Sequence, residues 1–374
     1  MNLHAGARSL DRVRARVLRP LFALRPLRRI YFERAERLGF QHALFAACAL
    51  LFALNFPLWQ LLLGPAVFGY AHLLSSVRHV PAAVARGTRR PRISTRALAL
   101  LLGACAGHIL YRFIQAAGWL QQGPANQSEW QGLGTLDVLF VASLCLGFAP
   151  LARRRASQWI GALLLLPLLI AMLSAPLETA GLLILLHNLI AYAYWLAFAP
   201  TGKARLHALV ALATILIVGG LVLVGALDGL LPEAHGSEFL TSIGLNLQDL
   251  GLSILPASSD PMLWTRLVVA FAFGQSCHYF VWLKAIPESR QSKRVPRTVR
   301  SCLRTLELEF TRDGAHVLVY ALGASFLLWL FLAVPEVRRF YFLFAGFHGL
   351  LELAGLPHLL ACSAPRRATA SQVQ

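Results

Sequence analysis

Long apolar runs, each able to cross a lipid bilayer as a helix, constrain the fold of this chain most strongly. Residues 97–117 and 206–227 form two such runs, and a transmembrane helix needs roughly 20 mostly apolar residues. Of the 374 residues, 57% are hydrophobic and 14% are charged, whereas soluble domains carry about 25% charged residues. The sequence therefore predicts an all-α fold, a polytopic transmembrane helical bundle.

We predict about ten transmembrane helices, and the range is eight to ten because the two shortest apolar segments could be partly re-entrant. An even number of helices puts both termini on the same side of the membrane. The ten predicted helices span residues 40–62, 64–80, 97–118, 133–150, 159–174, 177–199, 206–230, 264–286, 314–334 and 338–360.

The basic residues set the predicted orientation. The chain carries 35 Lys and Arg against 17 Asp and Glu, a formal net charge of +18. Most of the basic residues fall on one side of the predicted topology, notably in 1–39, 81–96 and 287–313, which is the positive-inside pattern. Both termini are then cytoplasmic in a bacterial-type inner (plasma) membrane. The charge contacts anionic membrane lipids, and we predict no nucleic-acid partner.

The chain divides by composition into three parts. Residues 1–39 form a basic cytoplasmic amphipathic arm, for which a solvated basic tail is the alternative. Residues 40–362 form a single transmembrane domain, and residues 363–374 form a cytoplasmic tail. Amphipathic patterns near 237–255 and 299–310 predict two helices that lie at the membrane interface.

Five histidines and one glutamate fall near the middle of different apolar segments. An ionisable residue at bilayer depth costs a few kcal/mol or more, so it indicates a functional site. Imidazole is the commonest metal ligand in proteins. The pattern predicts a metal or haem site built from His72, His108, His187, His278 and His348, with Glu352 beside them.

Two helices carry the most suggestive spacings. His348 and Glu352 are four residues apart, so one helix face offers both an imidazole and a carboxylate. His187 shares a face with Tyr194, seven residues on, and the neighbouring Asn188 could fix the imidazole tautomer. His108 and Arg112 also lie four apart on one face. We take Glu352, Arg112 and Tyr194 as candidate catalytic residues.

Several histidines with one carboxylate favour iron, zinc or copper over magnesium or calcium, which prefer oxygen ligands. Non-haem iron suits a histidine-rich site with open positions. Haem b is the sharpest alternative, because two histidines on separate helices could hold one haem axially. No dinucleotide fingerprint, P-loop or nucleophile elbow is present in the sequence.

Short motifs resemble those of the Brp/Blh-type membrane β-carotene-cleaving oxygenases. The segment FHGLLE, with His348 and Glu352, is similar to the HxxxD stretch of that family, and residues 355–358 match its GLPH piece. QSCHYFVW, which holds His278, resembles its histidine-and-aromatic helix. The GLPH here is not followed by GALD, and the acid is Glu in place of Asp. The resemblance covers about 30 residues and implies an iron-dependent oxygenase that acts on a long apolar substrate.

The leading hypothesis is a membrane-embedded non-haem iron oxidoreductase that acts on a lipid, an isoprenoid or another lipophilic small molecule. Three alternatives stay open. The chain could be a haem b protein that transfers electrons, a proton-coupled transporter that uses the buried His, Arg and Glu side chains as a relay, or a structural protein whose histidines join helices.

Overall fold

The fold is described from a computed structural model of the whole chain. All regular secondary structure of the residues it describes is helical. The described residues are 3–21, 23–84, 127–148, 155–199, 202–231, 260–290, 298–304 and 347–357, with isolated positions in 103–114 and 307–320 and residue 359.

Eleven α-helices are numbered here in chain order. They are α1 (Leu3–Leu21), α2 (Arg25–Phe32), α3 (Arg34–Asn55), α4 (Pro57–Gly64), α5 (Tyr70–Val84), α6 (Gln127–Phe148), α7 (Arg155–Ser174), α8 (Pro176–Phe198), α9 (Lys203–Leu223), α10 (Pro261–Phe280) and α11 (Ile286–Ser289). Two π-helical segments, Pro65–Gly69 and Val281–Ala285, continue α4 into α5 and α10 into α11. Residues 347–357 are also helical.

Helix boundaries follow local chemistry. α3 ends at Asn55 because Phe56 leaves the helical region, with φ −140° and ψ 53°, and Pro57 then starts α4 at a position where its missing N–H costs nothing. α10 begins in the same way at Pro261, and the Asp260 carboxylate accepts a hydrogen bond from the Met262 N–H at 2.9 Å.

Four helices among the described residues are long and apolar enough to cross a membrane: Arg34–Asn55, Pro57–Pro81, Gly181–Phe198 and Lys203–Leu223. The chain is therefore a membrane-type helical protein. The first predicted boundary, at 62–64, is wrong, because the break lies at Phe56 and the helical path then continues through Gly64.

The other predicted spans have different outcomes. Spans 133–150, 159–174, 177–199 and 264–286 coincide with α6, α7, α8 and α10 within six residues at each end, whereas 206–230 ends seven residues too late, because α9 stops at Leu223. Most of 97–118 and 314–334 lies outside the described residues, as do residues 338–346 of the last span. The count of ten and the orientation of the termini therefore stay predictions.

The predicted interfacial segments are only partly described. Residues 237–255 lie outside the described residues, and of 299–310 only 299–304 and the isolated position 307 are described, as helix. The arm folds into α1 and α2, which expose apolar side chains such as Val13 and Val17.

The chain divides into two compact units. The first comprises Met1–Ser75 and Ile184–Phe342. In it α3, α9 and α10 pack against one another, and α10 is buried over almost its whole length. At Gly39 the helices α3 and α9 are close enough that a Cβ would overlap the ring of His207, which would have to move.

The second unit comprises Ser76–Leu183 and Leu343–Gln374. Its helices α6 and α7 pack side by side. They touch at Gly134, where a Cβ would collide with the backbone carbonyl of Met172. Val141 and Leu144 of α6 lie in the buried interior of this unit.

Candidate metal centre

Three histidines from three different helices meet inside the first unit. The ring centroids of His187 on α8 and His278 on α10 lie 4.7 Å apart, and those of His72 on α5 and His278 lie 5.3 Å apart. His72 and His278 are fully buried, and His187 is half-buried. Both ring pairs are edge-to-face, at 62° and 80°. His72, His187 and His278 are called the histidine cluster below.

Both fully buried histidines of the cluster lie next to a π-helical segment. His72 follows Pro65–Gly69 by three residues, and His278 precedes Val281–Ala285 by three residues. Such segments change the helix face that later side chains occupy, and they are frequent at functional sites. The Ser75 hydroxyl donates a 2.5 Å hydrogen bond to the carbonyl of Trp282, inside the second segment, so the two irregular regions are joined.

The tautomer of His187 is fixed by its own helix. Its Nδ1 lies 2.9 Å from the backbone carbonyl of Ile184, which can only accept a hydrogen bond, so Nδ1 donates and Nε2 is the atom able to bind a metal. The sequence had suggested Asn188 for this role. In the structure the Asn188 amide instead donates to the Ile184 carbonyl at 3.3 Å.

Two histidines of the cluster have ligand atoms spaced closely enough to share a metal ion. One ring nitrogen of His72 lies within 4.8 Å of one of His278, and both residues are buried. Zn–N bonds of about 2.1 Å place two ligand atoms at most about 4.2 Å apart. Small side-chain rotations are therefore enough to bring both nitrogens onto one ion.

His348 and Glu352 form a buried pair within the second unit. Nε2 of His348 lies 3.7 Å from a carboxylate oxygen of Glu352, and the two side chains are 2% and 0% exposed. The HxxxE spacing thus places an imidazole and a carboxylate side by side, as the sequence predicted. A carboxylate in this position can orient the imidazole or take part in binding an ion.

His108 has a carboxylate partner of its own in the second unit. Its Nε2 lies 2.8 Å from Asp137, and its ring stacks on Phe140 with centroids 4.2 Å apart and planes 18° apart. Both contacts are consistent with burial of this histidine as part of the packing. The metal-ligand role predicted for His108 stays a prediction.

Of the two other candidate catalytic residues, Tyr194 is described by the structure and Arg112 is not. Tyr194 is fully buried, with its ring 5.4 Å from that of Trp282, and Trp282 lies 6.4 Å from His278. Tyr194 therefore lies one aromatic ring away from the histidine cluster. Arg112 lies outside the described residues, as does His358 of the GLPH piece.

Sequence reasoning missed a second buried histidine contact in the first unit. Nε2 of His42 lies 2.7 Å from the Tyr192 hydroxyl, and the Cys277 thiol is within hydrogen-bond reach of the same hydroxyl. Phe280 and Trp195 surround the His42 ring, at 5.4 and 5.7 Å. His42 stands in an apolar run like the other candidates, and that was the only signal available.

An ion-pair group, called the rim triad below, consists of Arg37, Lys284 and Glu288. Arg37 donates two hydrogen bonds, at 2.9 and 3.1 Å, to one oxygen of Glu288, and Lys284 binds the other oxygen. Burial opposes ionisation of Glu288, but Lys284 and Arg37 outweigh it and hold the pKa of this carboxyl below its usual value. Lys284 and Glu288 lie four residues apart, whereas Arg37 lies 251 positions from Glu288.

The histidine cluster in the first unit and the His348–Glu352 pair in the second unit each offer donor types of a transition-metal site. Imidazole suits zinc, copper, iron and nickel, and carboxylate oxygen adds a harder ligand. In apolar surroundings a charged imidazolium is disfavoured, and the neutral ring is the form that binds metals.

Comparison with protein-family models, with curated proteins and with solved structures found no match. The similarity to Brp/Blh-type oxygenases therefore rests on the short histidine motifs alone. The functional interpretation of the site rests on its geometry.

Proposed function

We propose that the protein is an integral membrane metalloprotein whose buried histidines bind a non-haem metal ion, with iron as the preferred metal. We further propose that it is an oxidoreductase acting on a lipophilic substrate. The observation that carries the proposal is the convergence of His72 and His187 on His278 from separate helices. Imidazole is the commonest metal ligand in proteins, and a metal ion is a partner that imidazoles from separate helices can share.

The ring geometry favours a small ion over haem. When two histidines bind opposite faces of a haem, each ring centroid lies one metal–nitrogen bond plus about half a ring width from the metal. The two centroids are then about 6 Å apart. The centroids of the cluster are 4.7 and 5.3 Å apart, and the rings stand edge-to-face. That arrangement fits ligands that approach one ion from the same side.

The proposed ligands in the first unit are His72 and His278, whose ring nitrogens already lie within 4.8 Å of each other, with His187 as a further ligand through Nε2. His348 and Glu352, within the second unit, are proposed as a further ligand pair, since histidines with one carboxylate suit non-haem iron. A bound iron would supply the activation of dioxygen. Trp282 and Tyr194 exclude water from one side of the cluster.

The cellular setting belongs to the same proposal. Four helices able to span a membrane and the uneven distribution of Lys and Arg support a bacterial-type inner membrane, with both termini in the cytoplasm. Reporter fusions at each terminus, one active only in the cytoplasm and one only outside it, test this orientation. External activity at either terminus would contradict it.

Metal analysis and the visible spectrum test the metal assignment together. The protein is purified in a mild detergent, its metals are measured by mass spectrometry, and its absorption is recorded. We expect iron in a fixed ratio to the chain and no Soret band. A Soret band would assign the site to haem, and the absence of every transition metal would overturn the proposal.

A further inference from the structure

An open apolar groove runs along the surface of the first unit. Its volume is about 470 Å³ and its lining is almost wholly apolar. This volume is within the roughly 300–1,000 Å³ of small-molecule sites. The groove is lined by Gln41, Leu44, Phe45, Cys48, Phe68, Tyr279, Phe280, Leu283 and Lys284.

One wall of the groove lies on a helix that is long and apolar enough to cross a membrane. This helix is α3, which exposes Leu44, Cys48 and Leu51. Exposed apolar side chains on such a span meet lipid chains and not water. A ligand that reaches this groove therefore comes from the bilayer.

One end of the groove is polar and carries excess positive charge. Lys284 lines the groove and belongs to the rim triad, in which two cations share the single carboxylate of Glu288. Gln41 lies in the same lining, and its side-chain NH2 group is a hydrogen-bond donor. This end suits an anionic head group, to which the Lys284 ammonium and the Gln41 NH2 group can both donate.

The groove also reaches the histidine cluster. Tyr279 lines it, and the Tyr279 ring lies 4.6 Å from the ring of His72. Phe68, also in the lining, lies 5.9 Å from Tyr279. A chain in the groove would therefore be separated from His72 by one aromatic ring.

We propose that this groove binds a single-chain lipophilic carboxylate, with the apolar chain against Phe45, Phe68 and Tyr279 and the carboxylate at Lys284 and Gln41. This inference builds on the proposed function by naming the class of its substrate. The two chains and the head group of a phospholipid would not fit a groove of this size.

Photolabelling in lipid nanodiscs tests the groove directly. The probe is an 18-carbon fatty acid with a diazirine on its chain, compared with its methyl ester and with a phosphatidylcholine that carries the same diazirine. We expect the acid to label residues 41–48 and 279–284. Even labelling of all lipid-facing helices, α9 included, or equal labelling of the groove by the phospholipid, would overturn the proposal.

Two pairs of variants sharpen this test. Cys48→Trp fills the groove and should reduce acid labelling several-fold, whereas Ala47→Trp, on an exposed position of the same helix, should leave it unchanged. Lys284→Gln should weaken labelling by the acid and spare the methyl ester, because Arg37 still pairs with Glu288 and maintains the fold. Equal effects on the acid and the ester would contradict the role of Lys284.

Metal content measured on the same samples separates the two proposals. Specific labelling without bound metal leaves the groove inference standing and removes the metalloenzyme. Bound metal with unspecific labelling supports the metal site and removes the groove inference.

Discussion

The imidazole of His278 stands edge-to-face to that of His187, with ring centroids 4.7 Å apart, although the two residues are 91 positions apart in the chain. α8 and α10 approach each other where Gly274 lies beside Asn188, since a Cβ at residue 274 would be 3.5 Å from the Asn188 side chain, an ordinary contact distance. His72 then reaches His278 from a third helix. These contacts between histidines inside an apolar unit are the main support for the proposed metal site.

Glu352 should tune metal binding through His348. Because its carboxylate lies 3.7 Å from the imidazole and is fully buried, we expect Glu352→Gln to weaken metal affinity by about 10–100-fold. Competition with a chelator of known affinity measures the change. Glu178→Gln, at an exposed glutamate of α8, is the matched control, and equal affinities of the two variants would argue against the role of Glu352.

His108 should contribute to the stability of the fold and not to metal binding. His108→Leu removes the hydrogen bond to Asp137 and the stacking on Phe140, so we expect a loss of about 1–3 kcal/mol in the free energy of unfolding. Thermal unfolding in detergent measures the loss. Metal content should stay at the wild-type level, and its loss from a folded variant would restore His108 to the ligand set.

Glu288 should be a large stabilising residue of the first unit. Glu288→Gln leaves Arg37 as a buried cation without its carboxylate and Lys284 as a partly exposed one, and removing one partner of a buried ion pair costs about 3–5 kcal/mol. Glu33→Gln is the control, because the Glu33–Arg29 pair is exposed and such pairs contribute about 0–1 kcal/mol. Similar shifts in the unfolding temperature of the two variants would contradict the importance of the rim triad.

The stabilisation that Glu288 provides should depend on pH. The pKa of Glu288 is lower in the folded protein than the usual value, so its stabilisation is complete above the unfolded carboxyl pKa of about 4.3. It is lost as the pH falls through the folded pKa. We expect the difference in unfolding temperature between wild type and Glu288→Gln to shrink below about pH 4.3, and a constant difference down to acid pH would contradict this.

Much of the site could be predicted from the sequence, because a histidine in an apolar run stands out from its neighbours. The sequence identified His72, His187 and His278 as candidates, and the spacing of His348 and Glu352 predicted their pairing. It could not predict which rings meet, because helix-to-helix packing depends on contacts between distant residues. His42 and Arg37 were missed for this reason, since their partners Tyr192 and Glu288 lie 150 and 251 positions away.

The fold was predictable to a similar extent. Hydropathy located α6 to α10 within a few residues, except at the end of α9. It missed the break at Phe56, because the apolar run continues through Pro57 without a change in composition. The π-helical segments beside His72 and His278 have no sequence signature of this kind, since they arise from packing.

The ring of Tyr279 should form the wall between the groove and the histidine cluster. Tyr279→Phe keeps the ring against His72 and should preserve both fatty-acid labelling and metal content. Tyr279→Ala opens a cavity, for which aromatic-to-alanine changes cost about 3–5 kcal/mol, and should abolish the preference of the photoreactive acid for the groove. Unfolding temperature and photolabelling measure the two effects, and unchanged labelling in a folded Tyr279→Ala protein would exclude this ring from the groove.

Metal content of single histidine variants tests the central claim most directly. Wild type, His72→Ala, His278→Ala and His348→Ala are purified side by side and analysed by mass spectrometry, with His42→Ala as a buried-histidine control outside the cluster. The account predicts metal bound to wild type and to His42→Ala, and its loss from the other three. Wild-type protein without a transition metal, or wild-type metal content in folded His278→Ala, would contradict it.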